Sequence, residues 1–498
     1  MNDNTMTAGV THDTSDLGAP PQMLIDGQWQ SASDGKTLEV INPSTEQVIA
    51  RVPLATDSDV DRAVRAARAQ MDGGAWSQMS GVDRRRVMIR FADLIERNAK
   101  LLIRLESLNV GKVVGEPTML DIPMSVETIA YFAGWADKIE GRTIPTPGYM
   151  GRRTLSYTLR EPVGVIGAIT PWNAPTMIAC WKLGPALAAG CAIVMKVSEE
   201  APLTALVLGK LALEAGVPPG VFNVITGSGE IAGAALTRHP GVDKISFTGS
   251  PEVGREIQRA AADTFKRVTL ELGGKSPQIV LGDAQLDAAL GGCAMGLFAN
   301  QGQICAAGTR IFVHRSRFAE FSEKFSAIAR SIVPGDPFDG ASRMGTLISR
   351  KQLERVSKYV EVGTKEGAKV IAGGSRVSRP GFFFEPTVFT DVSNTMRIAR
   401  EEIFGPVGAL IPFDTVDEAI RLANDTRYGL AATIWTQELS AAHVLAAKVR
   451  AGAISINGWA TIDPRLPWGG FKESGIGREL GRNGIESCTE EKVVTVVL

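Results

Sequence analysis

The chain has 498 residues, enough for about three units at about 150 residues each. With 44% hydrophobic and 21% charged residues it can bury sizeable cores, which excludes a disordered or fibrous protein. Lys and Arg number 53 against 54 Asp and Glu, a net charge of -1, so no nucleic-acid partner is implied by bulk charge.

Residues 1–22 are polar and have neither a basic start nor an apolar core. They are expected to be a disordered tail and not a signal peptide. Asp57–Gln70 and Gly81–Leu105 have the pattern of long surface helices, and Arg153–Arg160 alternates like an exposed strand. From Gly164 onward short apolar runs alternate with helical stretches. The expected strands are Val163–Ile169, Ala192–Met195, Val221–Ile225, Lys244–Phe247 and Val268–Leu272. Pro202–Ala215 is expected as a helix, with Pro202 in its first turn and Gly216 as its cap. This alternation predicts βαβ units and an α/β fold with a parallel sheet, whose ligands sit beyond the carboxyl ends of the strands. The C-terminal Lys492–Leu498 is apolar and β-branched, and such a strand needs a partner. Arg153–Arg160 or a neighbouring subunit would supply one, and an oligomer is expected. No apolar run reaches the roughly 18 residues of a membrane helix.

The five cysteines, Cys180, Cys191, Cys293, Cys305 and Cys488, are odd in number and irregularly spaced. That argues against a disulfide framework and for a reducing compartment, the cytoplasm. The four histidines lie far apart, without a zinc-binding pattern, and no metal is expected.

Three segments offer chemistry: Thr170-Pro-Trp-Asn-Ala-Pro175, Leu270-Glu-Leu-Gly-Gly-Lys275 and Asn300-Gln-Gly-Gln-Ile-Cys305. They hold an amide, a carboxylate and a thiol, each near a turn or strand end. Taken singly, each has a plainer explanation. Cys305 is then a small buried hydrophobe, Glu271 a salt-bridged strand end, and Asn173 a turn residue beside proline.

Together these segments resemble the NAD(P)-dependent aldehyde dehydrogenase superfamily. Phe247-Thr-Gly-Ser-Pro-Glu-Val-Gly254, Glu401-Glu-Ile-Phe-Gly-Pro-Val407 and Pro467-Trp-Gly-Gly-Phe-Lys-Glu-Ser-Gly475 extend the likeness over roughly residues 23–498. The resemblance implies a Rossmann-type cofactor domain (23–140 and 161–272), an α/β catalytic domain (273–482) and oligomerisation strands (141–160 and 483–498), in a homodimer or homotetramer. It implies that Cys305 is the nucleophile toward a small-molecule aldehyde. Asn173 and the Cys305 N–H would form an oxyanion hole, one such donor contributing about 2.7–4 kcal/mol. Glu271 would activate the hydrolytic water, and Lys182 would help to relay its proton.

For the cofactor, the resemblance assigns Lys196 and Glu199 to the adenosine ribose, Gly249 and Ser250 to the diphosphate, and Trp172, Glu402 and Phe404 to the cleft toward the nicotinamide end. Glu199 would repel a 2′-phosphate, so NAD is expected over NADP. The chain also departs from its family. Ala174 stands where a tunnel phenylalanine is common, a loss that widens the tunnel by roughly 100 Å³ if nothing moves in. Ile178, Trp181, Ile304, Ile462 and Trp468 match other tunnel positions, so an aryl or other hydrophobic aldehyde is expected. Trp435-Thr-Gln-Glu-Leu-Ser440 and Thr461-Ile-Asp463 look most like phenylacetaldehyde dehydrogenases.

Arg465 near the tunnel mouth supports a rival, a semialdehyde dehydrogenase that pairs Arg465 with a substrate carboxylate. A cysteine hydrolase using Cys305, Glu271 and Lys182 without a redox cofactor is a second rival. A non-enzymatic binding protein reusing the fold and an acyl transfer to coenzyme A are further ones.

Overall fold

The computed structural model describes residues 18–459 and 461–498. The tail expected over residues 1–22 lies outside the described residues as far as residue 17.

Five short strands form a parallel array: Val165–Ile169, Ala192–Lys196, Phe222–Ile225, Lys244–Thr248 and Arg267–Glu271. The first three are buried at every position, as expected where helices cover both faces of a sheet. In space the array begins at Phe222–Ile225, passes through Ala192–Lys196 and Val165–Ile169, and continues to Lys244–Thr248 and Arg267–Glu271. The order therefore reverses between Val165–Ile169 and Lys244–Thr248, which is where a doubly wound sheet opens a crevice. Antiparallel strands finish both edges, Met23–Ile25 with Gln28–Gln30 on one side and Gly475–Ile476 on the other. The sequence-expected strands are all present within one or two residues at each end. The first starts at Val165, because the Val163 N–H bonds to the Cys488 carbonyl and leaves the sheet.

A second sheet has seven strands in the order Lys369–Ala372, Thr387–Thr390, Val407–Phe413, Arg310–His314, Pro277–Val280, Ala431–Trp435 and Ala453–Ile456. All its pairs are parallel except the first. Helix Leu203–Ala215 ends in a left-handed Gly216, as the sequence predicts. Helix Pro175–Ala189 is buried at every position, so it runs through the core and carries whatever polar groups it bears into a dry interior.

Gly81–Leu105 is a correction. It forms two helices, Gly81–Arg97 and Ala99–Val110, with Asn98 between them. The Asn98 side chain donates to the Leu94 carbonyl at 2.8 Å, an alternative to the helical ladder. Nor is this a surface element alone, since Met88, Phe91, Ile95, Leu102 and Leu105 are fully buried.

The C-terminal strand Thr489–Val497 pairs antiparallel with Thr154–Pro162, from Thr489 opposite Pro162 to Val497 opposite Thr154. Thr143–Ile144 completes this three-stranded sheet on the far side of Thr154–Pro162. The C-terminal strand is thus partnered within its own chain. Its other edge is open among the described residues, and Val493, Val496 and Leu498 are exposed.

A buried ionic group braces the core helices. Lys112 Nζ donates to Asp121 at 2.8 Å and to Glu106 at 3.2 Å. Glu106 also accepts from the Thr176 hydroxyl, which stands on helix Pro175–Ala189. Burial pushes Glu106 up to about 7 despite the lysine. Replacing Lys112 by Met would strand two buried carboxyls, and we expect a loss of about 3–5 kcal/mol in urea unfolding. A loss below about 1 kcal/mol would show that the group is not a brace.

Candidate active site

The carboxyl ends of the parallel strands deliver two of the expected side chains, Asn173 and Glu271, to one place, with Thr248 between them. Asn173 follows Val165–Ile169 and precedes helix Pro175–Ala189. Thr248 ends its strand, and Glu271 ends the last one. The loop after helix Leu286–Phe298 brings Cys305 from the side of the second sheet. Asn173, Thr248, Glu271 and Cys305 all line one cleft of about 690 Å³. Trp172, Gly249, Ser250, Glu402 and Phe404 line it as well.

Cys305 is half-buried and unpaired. Its thiol is pushed up to about 12, first by burial, then by the nearby Glu271 and Glu402 carboxyls. The backbone N–H groups of Ala306 and Cys305 oppose this without cancelling it. The turn before it is tight, with Asn300 and Gln301 at φ 46 and 56 and Gly302 at φ 68. A Cβ at Gly302 would stand 2.2 Å from the Gly405 carbonyl oxygen, so only glycine fits. Asn173 Nδ2 donates one hydrogen to the Gln303 carbonyl at 2.9 Å, which leaves its second for the cleft.

Glu271 is buried, and neither carboxyl oxygen has a partner. Burial, reinforced by Glu479, holds its carboxyl well above the usual carboxylate range, against the pull of Lys182 and Arg478. Lys182 does not touch Cys305. Its Nζ donates to Ser246 Oγ at 3.1 Å, Thr248 Oγ1 at 2.9 Å and Glu479 Oε1 at 2.6 Å. Glu479 is a site residue that sequence reasoning missed. It lies four residues past the matched stretch ending at Gly475, and the fold fixes it by two backbone bonds to Trp468, at 2.7 and 2.8 Å. Asn300 and Gln303 were also missed as site residues, although they stand inside a quoted segment.

One part of the cleft lining offers a place for an anionic group. Ser250 caps helix Pro251–Ala262, whose first-turn N–H groups favour a phosphate. Gly249 leaves room there, since a Cβ would stand 2.4 Å from the Phe247 ring. Trp172 and Phe404 meet edge to face, with centroids 5.2 Å apart. Glu402 accepts from the Gly274 N–H at 3.0 Å and is pushed up to about 7 by burial. Lys196 and Glu199 lie outside this lining. They pair at 2.7 Å, and the other Glu199 oxygen accepts from the Gly229 N–H at 2.9 Å. Each Glu199 oxygen keeps a second lone pair able to accept a further hydrogen bond.

Ala174, Ile178, Trp181, Ile304, Ile462 and Trp468 pack in one apolar cluster with Cys305. The Trp181 and Trp468 rings meet edge to face at 6.0 Å, and Trp181 Nε1 is buried without a partner. Ile462 and Trp468 also line a cavity of about 190 Å³ that reaches Ala306, next to Cys305. The other four pack beside them and do not line that cavity. Arg465 is exposed and already holds Asp463 through its Nε at 2.6 Å and its backbone N–H at 2.8 Å. No group of three or more His, Cys, Asp or Glu able to hold a metal occurs among the described residues. No helix among them is long and apolar enough to cross a membrane.

A parallel doubly wound sheet thus sets a thiol, a carboxyl and an amide around one cleft. The model of the aldehyde dehydrogenase family matches residues 29–494. The mitochondrial aldehyde dehydrogenase of Sus scrofa is 47% identical over 477 residues, 95% of this chain and 91% of that one. The NAD+ complex of an aldehyde dehydrogenase from Bacillus cereus superposes with a TM-score of 0.95 at 44% identity, covering 99% of this chain and 100% of that one. The P. syringae indole-3-acetaldehyde dehydrogenase AldA, in complex with NAD+ and IAA, gives 0.94 at 40% identity over 98% and 100%. The chain belongs to the aldehyde dehydrogenase family and is an oxidoreductase of aldehydes.

The thiol's environment makes a prediction. With its ionisation held at about 12, alkylation of Cys305 by iodoacetamide in the cofactor-free protein should keep accelerating from about pH 6 to about pH 10. A plateau near pH 7 would contradict a neutral resting thiol.

Proposed function

We propose that the chain oxidises an apolar, aryl-bearing aldehyde to its carboxylic acid with NAD, using Cys305 as nucleophile. The observation that carries this reading is the convergence of Cys305, Asn173 and Glu271 on one cleft beside a capped helix N-terminus. NAD, when bound, supplies the hydride acceptor. Ser250 and the start of helix Pro251–Ala262 would hold its diphosphate, with Trp172, Phe404 and Glu402 toward the reacting end and Lys196 and Glu199 at the ribose. The negative Glu199, already next to Lys196, favours NAD over a 2′-phosphorylated cofactor.

Cys305 Sγ adds to the carbonyl carbon as the thiolate, once its proton has passed to solvent. The free Asn173 N–H and the Cys305 N–H stabilise the oxygen that becomes negative. Loss of hydride leaves a thioester on Cys305. Glu271, in its ionised form, then takes a proton from the attacking water, and its raised ionisation makes it a stronger base than an ordinary carboxylate. Lys182 and Glu479 lie next in line to pass the proton on. The Cys305 thiol rests protonated, so activity rises with pH through the neutral range.

The apolar cluster around Trp181 and Trp468 supports a hydrophobic substrate, and the Arg465–Asp463 pair weighs against a carboxylated one. The P. syringae relative, named for indole-3-acetaldehyde, is consistent with an arylacetaldehyde. A cofactor domain over 23–140 and 161–272, a catalytic domain over 273–482 and oligomerisation strands over 141–160 and 483–498 complete the reading. The open edge of Thr489–Val497 supports a homo-oligomer, and the five unpaired cysteines suit a reducing cytoplasm.

Two experiments test it. Cys305→Ala should abolish dehydrogenation while NAD still binds. Glu271→Gln should release a burst of about one NADH per site, then turn over about 10²–10⁴-fold more slowly as the thioester persists. Turnover in Cys305→Ala, or slowing without a burst in Glu271→Gln, would contradict the assigned roles. For the substrate, Ala174→Phe should lower kcat/KM for phenylacetaldehyde by about 10-fold or more and for propanal by less than about 3-fold. Equal losses would remove Ala174 from the tunnel.

A further inference from the structure

The turn that presents Cys305 does not hold itself. Asn300 and Gln301 both occupy the left-handed region, which L side chains disfavour, and Gly302 follows in it. Such a turn persists only when its surroundings over-determine it. Asn300 is the point where they do so. Its side-chain amide donates to the Asn173 carbonyl at 2.8 Å and to the Gln303 carbonyl at 3.2 Å. The Gln303 carbonyl also accepts from Asn173 Nδ2 at 2.9 Å, and the Gln303 N–H returns to the Asn300 carbonyl at 2.9 Å. One residue thus ties the loop of the thiol to the backbone of the oxyanion amide.

The Asn300 N–H in turn needs an acceptor, and the loop does not provide it. It donates at 2.9 Å to Glu116 Oε1, a residue 184 positions away in sequence. Glu116 stands between helix Ala99–Val110 and the turn Pro117–Asp121, beside the Lys112 group. Lys112 gives its bonds to Glu106 and Asp121 and none to Glu116. The second Glu116 oxygen is buried with no partner at all. A carboxyl placed here against the cost of burial makes a single bond with its side chain, and that bond fixes the catalytic turn. No step of the proposed chemistry otherwise uses Glu116.

We propose that Glu116 is a positioning residue: by accepting the Asn300 N–H it locks the left-handed turn that sets Cys305 against Asn173. The proposal rests on the reading of Cys305 as nucleophile. Burial pushes the Glu116 carboxyl up to about 7, against the pull of the Asn300 N–H and of Lys112 and with the push of Asp121. A protonated carboxyl still accepts through its carbonyl oxygen, so the tie holds across neutral pH. An amide oxygen should serve equally well.

The test compares Glu116→Gln, Glu116→Leu and Glu116→Asp in the full chain. Three quantities are read: kcat, KM for NAD, and the rate of Cys305 alkylation by iodoacetamide followed by peptide mass spectrometry. Glu116→Leu removes the acceptor at similar size. Its kcat should fall about 10–100-fold, with KM for NAD within about 2-fold and the alkylation rate altered by about 3-fold or more. Glu116→Gln should keep kcat within about 3-fold, and Glu116→Asp, whose oxygen is drawn back, should fall between them. If Glu116→Leu does not fold, the Gln and Asp variants carry the comparison. Equal losses in Gln and Leu, equal activity in Gln and Asp, or full activity in Leu would overturn the proposal. Alkylation is read without turnover, so failure of the nucleophile reading shows separately, as activity in Cys305→Ala.

Discussion

Where the order of the parallel strands reverses, the carboxyl ends of Val165–Ile169 and Lys244–Thr248 part and leave a cleft. Into that cleft the fold places ionisable groups that it buries in whole or in part. Glu271 has no hydrogen-bond partner for either oxygen, and the Cys305 thiol is held far from ionisation by burial and by two carboxyls. This burial is the constraint on which the site depends. It keeps the thiol neutral at rest and raises the Glu271 carboxyl, and it makes each donor aimed at the reacting oxygen stronger than it would be in water. The cost falls on the protein's stability and is offset by the fully buried helix Pro175–Ala189 and by the apolar cluster around it.

Two buried lysines are instead well partnered. Lys182 gives all three of its hydrogens to Ser246, Thr248 and Glu479, and Lys112 bridges Glu106 and Asp121. Both sets touch helix Pro175–Ala189, the first through Lys182 and the second through Thr176. That helix therefore reads as the common beam to which Asn173 and Lys182 are fixed. Glu116, through Asn300, ties the facing loop to the same frame.

Much of this was legible in the sequence. Apolar runs of four to seven residues marked the parallel strands, because a strand covered on both faces has no polar side to break the pattern. Gly216 marked the end of helix Leu203–Ala215, since caps are chosen locally. The Asn98 break was not legible, because an asparagine inside an amphipathic pattern is neutral until its side chain is seen bonding to Leu94. Glu479 and Glu116 escaped for a related reason. Each acts on a residue far away in sequence, and nothing local distinguishes them from surface glutamates. Arg465 looked free in sequence, yet it is paired with Asp463 two residues away.

The most direct test of the account is initial-rate NADH formation, with NAD and NADP in parallel. The panel would be phenylacetaldehyde, benzaldehyde, hexanal, propanal, succinic semialdehyde and betaine aldehyde. The account predicts the highest kcat/KM for the aryl aldehydes, with NAD preferred. A preference for succinic semialdehyde would contradict the apolar pocket and restore Arg465 as a substrate contact, and no turnover with any aldehyde would contradict the reading as a whole.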